Sequence, residues 1–168
     1  MRPYTARILT ADSAKAEASQ PSRVRVLVAD DEAPIRLLCQ VNLAVAGIDV
    51  LQAEDGEKAL DLARSEAPDL VLLDLMMPRL DGWTVAEALA RDERTSGIPI
   101  VFLTARATVA DRRRAEELGA LGYVLKPFDP VRLAPLVAEV VGRCELGEAD
   151  ELQKERPADL WPAELADA

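Results

Sequence analysis

Short runs of β-branched and aliphatic residues alternate with longer amphipathic stretches between residues 23 and 143. Turn-forming residues bound each apolar run, a pattern typical of an α/β protein whose parallel strands are connected by helices. The predicted strands are VRVLVA (24–29), IDVLQA (48–53), DLVLLD (69–74), IPIVFLT (98–104) and GYVLK (122–126). Because the third and fourth runs are almost wholly apolar, we expect them at the centre of the sheet, covered by helices on both faces.

Helical periodicity fills the gaps between these runs. It is present over residues 35–46 and over residues 59–64, and it is clearest in the last helix. There, apolar residues follow a spacing of three and four: Leu133, Leu136, Val137, Val140 and Val141. Pro135 interrupts this pattern, and an interior proline removes a backbone hydrogen bond. The last helix is therefore expected either to begin near Pro135 or to have a bent first turn.

The chain of 168 residues is expected to form one domain over residues 23–143. Residues 1–22 and 144–168 lack sustained periodicity and are rich in Ala, Pro, Ser and acidic residues. They are predicted to be a flexible N-terminal extension and a mobile acidic C-terminal tail.

Composition excludes several other classes of protein. No stretch approaches the roughly 20 apolar residues of a membrane span, and the first residues lack the apolar core of a secretory signal. A cytoplasmic protein without a membrane partner is expected. Cys39 and Cys144 are far apart and in no metal-binding spacing, so neither a disulfide framework nor a zinc site is predicted.

The formal net charge of −10 disfavours direct binding of nucleic acid, which relies on Lys and Arg against phosphates. The one basic run, at residues 112–114, is short. It is interpreted as a solvated helix face that pairs with Glu116 and Glu117.

Five polar side chains stand at or just after the carboxyl ends of the predicted strands: Asp30, Asp31, Asp74, Thr104 and Lys126. In a parallel sheet these ends share one edge, where ligand sites of doubly wound folds form. Neighbouring strands are about 4.8 Å apart, so the three aspartates are expected to crowd together. Such a cluster raises carboxylate pKa values or recruits a cation, and its hard oxygen ligands suit Mg²⁺.

Lys126 and Thr104 add hydrogen-bond donors for an anion to this cluster of acids. A long lysine and a hydroxyl beside Asp74 can donate to phosphoryl oxygens, so the set is typical of phosphoryl transfer to a carboxylate. Taken singly, each residue also has an ordinary interpretation as a helix cap, a strand end or a loop lysine. Their joint occurrence favours a functional site.

Residues 23–143 resemble the receiver domain of two-component response regulators, of the stand-alone, chemotaxis-receiver-like kind. The segments that carry the resemblance are VLVADDE (26–32), LVLLDLMMPRLDGW (70–83), IVFLTA (100–105) and GYVLKPF (122–128). The resemblance implies a flavodoxin-like (βα)5 fold, with a doubly wound five-stranded parallel sheet in the order 2-1-3-4-5. It also implies a regulatory phosphoacceptor, which catalyses only its own Mg²⁺-dependent phosphorylation and dephosphorylation and is not otherwise an enzyme.

The resemblance also implies a role for each site residue. Asp74 is the phosphoacceptor and a metal ligand, Asp31 binds Mg²⁺ directly, Asp30 binds it through water, and Met76 contributes its backbone carbonyl. Lys126 pairs with the phosphate, Thr104 is the switch hydroxyl, and Tyr123 is the aromatic that rotates inward. Gly82 completes the turn that Asp81 begins, and the peptide bond before Pro127 is cis.

The expected phosphodonor is a histidine kinase, a histidine phosphotransfer protein or acetyl phosphate. A downstream protein is expected on the surface of the fourth helix, fifth strand and fifth helix, with no direct nucleic-acid partner. Leu121 and Gly122 stand where receivers of winged-helix transcription factors usually carry acids, and together with Pro135 they argue against that dimer mode. Met76 and Arg106, two residues beyond Asp74 and Thr104, are predicted to tune the phosphoryl lifetime.

Other classes of protein fit the sequence less well. A phosphatase of the haloacid dehalogenase type needs an acid at Met76, and no glycine-rich nucleotide-binding motif is present. A degenerate receiver that binds partners without phosphorylation stays open. A DNA-binding regulator would need an output domain, for which the 25 residues after Arg143 are too few. The segment DLWPAEL (159–165) is either a partner-binding motif anchored by Trp161 and Leu165 or a disordered end.

Overall fold

The computed structural model describes residues 23–155 and residue 160. In chain order, the elements within these residues are β1 (Arg25–Ala29), α1 (Ala33–Val45), β2 (Asp49–Ala53), α2 (Gly56–Glu66), β3 (Leu70–Leu73), α3 (Gly82–Arg91), β4 (Ile100–Thr104), α4 (Val109–Leu118), β5 (Gly122–Leu125), α5 (Pro130–Glu145) and α6 (Ala149–Glu155). The predicted N-terminal extension, and Trp161 and Leu165 of the predicted partner motif, lie outside the described residues.

The strands form one parallel sheet in the order β2-β1-β3-β4-β5, which confirms the predicted fold class. All residues of β3 and β4 are buried, as their apolar sequences predicted for central strands. On one side of the sheet α1 packs beside α5, and on the other α3 packs between α2 and α4. None of the described helices has the length and apolar character needed to cross a membrane.

Side-chain caps fix where the helices begin, and so fix the loops at the carboxyl edge of the sheet. The capping residues of α2, α3, α4 and α5 are Asp55, Asp81, Thr108 and Asp129. Each accepts a hydrogen bond from a backbone N–H that has no partner within its helix. Thr108 and Asp111 cap each other reciprocally, which holds the first turn of α4.

The last helix of the receiver-like region begins at Pro130, earlier than one of the two predicted alternatives. Asp129 accepts a hydrogen bond from the Val131 N–H at 3.0 Å, and Pro130 occupies the first helical turn, where a missing N–H costs nothing. Of the two predicted alternatives, a start near Pro135 is wrong, because α5 runs through Pro135 from a cap at Asp129. A bent first turn stays a prediction.

The structure also differs from the predicted tail over residues 144–155. The expected boundary after residue 143 falls inside α5, and α6 follows it. Leu152 of α6 is fully buried, and Arg143 of α5 lies 2.6 Å from Glu155. Sequence periodicity missed α6 because the helix is only two turns long and is held by contacts with α5.

Candidate functional site

The register of the sheet brings the predicted site residues to its carboxyl edge. Ala29 of β1 pairs with Leu73 of β3, so Asp30 and Asp74 follow on adjacent strands. The Asp74 N–H donates to the Ala29 carbonyl at 2.8 Å, which fixes the start of the loop after β3. Thr104 ends β4 and pairs with Leu125 of β5. Lys126 directly follows Leu125.

The three aspartates form the predicted cluster. Oxygen atoms of Asp30, Asp31 and Asp74 lie within 4.8 Å of one another. Asp30 and Asp74 are buried, whereas Asp31 is exposed. Burial is the main cause that raises the pKa of Asp30 and of Asp74, although hydrogen bonds to both carboxylates oppose it. The negative charges of Asp30 and Asp74 are therefore unfavourable where they lie, and a bound cation would stabilise them.

Lys126 is the cation that already faces this cluster. Its Nζ lies 2.6 Å from Asp30, 3.1 Å from Glu32 and 3.2 Å from Asp74. Burial acts to lower the pKa of Lys126, but the hydrogen bonds and charges of these carboxylates outweigh it and raise the pKa. Lys126 is thus held fully protonated beside Asp74.

Backbone N–H groups orient the two buried carboxylates. The Glu32 N–H donates to Asp30 at 2.9 Å, and the Met76 N–H donates to Asp74 at 3.2 Å. In this way one oxygen of each carboxylate is turned towards the backbone. The other oxygen of each lies near Lys126.

Glu32 and Arg36 also border the site, and neither was predicted from the sequence to have a role there. Arg36 donates to the backbone carbonyls of Asp30 at 2.8 Å and Asp31 at 3.1 Å, and so supports the loop that carries both acids. The signal available for Glu32 was its place next to the two aspartates. Arg36 had no comparable signal, because its contact depends on how α1 leaves the loop.

Gly82 allows α3 to approach the phosphoacceptor candidate closely. A Cβ at this position would overlap the Asp74 carbonyl oxygen and lie 2.7 Å from the Cα of Leu75. The Gly82 N–H donates to the Leu75 carbonyl at 3.0 Å, and Asp81 caps α3 through the Thr84 N–H at 2.7 Å. The Lys126–Pro127 peptide bond is cis.

Thr104 and Tyr123 lie behind the site on β4 and β5. The Thr104 hydroxyl donates to the Arg106 carbonyl at 3.2 Å. Tyr123 is fully buried, its hydroxyl donates to the Asp111 carbonyl at 2.7 Å, and its ring stacks on Phe102. The Tyr123 side chain is therefore already inward in this structure, with its hydroxyl bonded to α4. The predicted rotation from an exposed position is not seen here.

The arrangement fits a hard divalent cation. The carboxylate oxygens of the cluster are close enough to share one ion, and two of the three carboxylates are buried in a setting that disfavours their negative charge. Met76 directly follows Leu75 in the loop after β3, and its side chain is largely exposed. Its carbonyl as a further ligand stays a prediction.

Comparison with known proteins agrees with this geometry. Residues 26–138 match the family described as Response regulator receiver domain. A relative named "Probable transcriptional regulator ycf27" from Porphyridium aerugineum is 45% identical over 121 residues, covering 72% of this chain and 49% of the relative. Another, named "DNA-binding dual master transcriptional regulator RpaA" from Synechocystis sp., is 39% identical over 142 residues, covering 82% and 59%. Among solved structures, the chemotaxis protein CheY4 of Vibrio cholerae has a TM-score of 0.67 at 29% identity, covering 71% of this chain and 99% of that one.

These relatives correct the expected set of partners. The exclusion of nucleic acid is wrong, because RpaA is named a DNA-binding regulator and this chain spans about half the length of the curated relatives it matches. The acidic net charge of this chain therefore does not exclude a nucleic-acid partner. The downstream surface on the fourth helix, fifth strand and fifth helix stays a prediction, and Leu160 of the chain itself contacts β5 within it.

The sheet order, the carboxylate cluster beside a buried lysine, and the match over residues 26–138 all agree. This chain belongs to the response regulator receiver domain family.

Proposed function

We propose that this protein accepts a phosphoryl group on Asp74, in a Mg²⁺-dependent reaction, from a histidine kinase or from acetyl phosphate. The observation that carries the proposal is the setting of the Asp74 carboxylate. It is buried, shares a cluster with Asp30 and Asp31, and faces Lys126 at 3.2 Å. A nucleophile, acids for a metal and a fixed cation are the parts that phosphoryl transfer to a carboxylate requires.

Asp31 and Asp74 would hold Mg²⁺ directly, Asp30 through water, and Met76 through its carbonyl. When bound, the ion supplies positive charge that offsets repulsion between the carboxylates and the incoming phosphoryl oxygens. The protein's own residues then account for the remaining steps.

In the transfer itself, an oxygen of Asp74 attacks the phosphorus atom. The bond from phosphorus to the donor nitrogen, or to the acetate oxygen in acetyl phosphate, breaks, and its electron pair stays on the leaving group. Lys126 is close enough to Asp74 to donate to a phosphoryl oxygen once the new bond has formed. A Cβ at Gly82 would overlap the Asp74 carbonyl oxygen, so the glycine allows the Asp74 backbone to keep its position.

We also propose that Thr104 and Tyr123 take part in the response to the phosphoryl group. The Thr104 hydroxyl would exchange the Arg106 carbonyl for a phosphoryl oxygen, which is the stronger acceptor because it is charged. The loop between β4 and α4 would then move. Tyr123, which is already buried and bonded to Asp111, would keep this inward position in the phosphorylated state.

Intact-mass analysis after incubation with acetyl phosphate and Mg²⁺ tests the phosphoacceptor. The wild type should gain one phosphoryl group, and Asp74→Asn or EDTA should prevent it. Asp61→Asn, an exposed carboxylate on α2, is the matched control and should be labelled normally. Labelling of Asp74→Asn would refute the assignment, and an unlabelled wild type would favour the degenerate receiver.

A second proposal concerns output. Because the relatives above are named transcriptional regulators, we propose that this receiver acts in control of transcription. Transcript profiling of cells that carry Asp74→Asn in place of the wild type tests it. Unchanged transcript levels under conditions that phosphorylate the wild type would oppose this output.

A further inference from the structure

The segment after α5 returns to the sheet. Arg143 on α5 pairs with Glu148 at 3.3 Å and with Glu155 at 2.6 Å, so both ends of α6 are tied to α5. Leu152 is fully buried, and the Gln153 side chain donates to the Ala120 carbonyl at 2.9 Å, just before β5. The ion pairs therefore hold α6 against α5, and the Gln153 hydrogen bond joins α6 to the residues just before β5.

Leu160 continues this contact at the outer edge of β5. The Tyr123 N–H donates to the Leu160 carbonyl at 2.5 Å, and Leu160 is fully buried. β5 is the last strand of the sheet order, so among the described residues no neighbouring strand covers this edge.

Gly122 makes the approach of Leu160 possible. A Cβ on Gly122 would overlap the Leu160 carbonyl oxygen and lie 2.7 Å from the Leu160 Cβ. At this position, where receivers of winged-helix regulators usually carry an acid, the absent side chain leaves room for the chain's own backbone. The glycine that argued against one dimer mode therefore has a structural use here.

We infer that α6 and Leu160, together called the C-terminal clasp, hold Tyr123 in the inward position that the phosphorylated state uses. The inference rests on the proposed function of Asp74, Thr104 and Tyr123. Phe102 stacks on one side of the Tyr123 ring, and Asp111 of α4 binds its hydroxyl. At the outer edge of β5, the Leu160 carbonyl accepts from the Tyr123 N–H and so fixes the strand that carries the ring.

Thermodynamic linkage gives the sign of the effect. If the clasp favours the inward Tyr123, and inward Tyr123 favours the phosphoryl-bound site, then docking strengthens phosphoryl binding and phosphoryl binding strengthens docking by the same factor. A cover that merely protects the edge strand from pairing with other chains would leave the site unaffected. The two roles are therefore separable by measurement at Asp74.

The test compares the full-length wild type with Leu160→Ala, using beryllofluoride and Mg²⁺ as a stable phosphoryl mimic. The Met76 amide NMR signal, next to Asp74, reports the affinity, and exchange of the Tyr123 amide hydrogen reports docking. Leu160→Ala should weaken beryllofluoride binding by about fivefold or more, a typical coupling between sites. Beryllofluoride should slow Tyr123 exchange in the wild type by a similar factor.

Leu146→Ala is the matched control, because Leu146 is 75% exposed just after α5. It should bind beryllofluoride like the wild type, and exchange of the β1 amides should stay unchanged in both variants. Gly122→Ala is a second route to the same undocked state and should reproduce the effect of Leu160→Ala.

Each outcome has a separate meaning. Equal beryllofluoride affinity in the wild type and Leu160→Ala, or tighter binding by the variant, overturns the clasp and leaves the proposed function standing. Absence of binding in every protein overturns the proposed function, and with it the coupling. Weaker binding by Leu160→Ala with unchanged Tyr123 exchange also overturns the clasp, because the effect would not pass through docking.

Discussion

Replacing Asp74 by Asn removes one buried negative charge and keeps the shape of the side chain. Oxygens of Asp30 and Asp74 lie within 4.8 Å, which corresponds to a repulsion of about 3.5 kcal/mol at an effective dielectric constant of about 20. The exposed Asp31 adds about 1 kcal/mol, screened by water. Lys126, at 3.2 Å, attracts Asp74 by about 5 kcal/mol on the same scale.

These opposing Coulomb energies nearly cancel, so the cost of burying the Asp74 charge decides the sign. Burial is also the main cause of the raised pKa of Asp74. We therefore expect Asp74→Asn to stabilise the metal-free protein, on the order of 1 kcal/mol. For a chain of this size the melting temperature should rise by about 2–4 °C. In Mg²⁺ the order should reverse, because the wild type gains binding energy that the variant lacks.

Thermal unfolding followed by circular dichroism, in EDTA and in excess MgCl₂, measures both effects. Asp61→Asn on α2 is the control, because it makes the same chemical change at an exposed position. A metal-free Asp74→Asn protein that melts below the wild type would refute the dominance of burial. A variant that keeps the full Mg²⁺ shift would refute Asp74 as a ligand.

The same charges determine how stability depends on pH. The pKa of Asp74 in the folded protein lies above its ordinary value of 3.8, so between the two values the folded state binds more protons than the unfolded state. The free energy of unfolding of the metal-free protein should therefore decrease as the pH rises through this window, and Asp74 should contribute no further change above it. Urea titrations over this range should show a smaller decrease for Asp74→Asn. An equal or larger decrease would contradict the assigned cause.

Two further predictions concern positions that bear on the packing. Gly82→Ala should destabilise the fold and slow labelling of Asp74, because its Cβ would overlap the Asp74 carbonyl oxygen, whereas Gly97→Ala, with open space around it, should do neither in the same melting and mass assays. Burial raises the pKa of Cys39 to about 12 and that of Cys144 to about 11, so both thiols should react with a thiol-specific reagent at pH 8 only after unfolding. Rapid labelling of either cysteine in the native protein would contradict its buried position.

The strands and the carboxylate cluster were predictable because their signals are local. An acid at the end of an apolar run marks the carboxyl end of a strand, and parallel topology then places Asp30, Asp31 and Asp74 together without knowledge of loops. The start of α5 was left between two alternatives because Pro135 opposes a continuous helix, although the cap at Asp129 precedes it. A capping residue followed by proline is the stronger local signal for a helix start.

The contacts that could not be predicted join distant parts of the chain. Arg36 reaches the loop carbonyls of Asp30 and Asp31, and Leu160 binds the Tyr123 N–H. Neither contact leaves a periodic pattern, because each depends on the angle at which a segment leaves its helix. The burial of Tyr123 is of the same kind, since partners on other elements determine it.

The position of Lys126 links metal binding to phosphorylation. Its Nζ lies closer to Asp30, at 2.6 Å, than to Asp74, at 3.2 Å, so in this state it mainly neutralises Asp30. A phosphoryl group on Asp74 would draw Lys126 away and leave the fully buried Asp30 without its cation. That loss is costly unless another positive charge takes its place beside Asp30. A divalent cation held by the same cluster would supply that charge. The cation and the phosphoryl group should therefore each bind more tightly in the presence of the other.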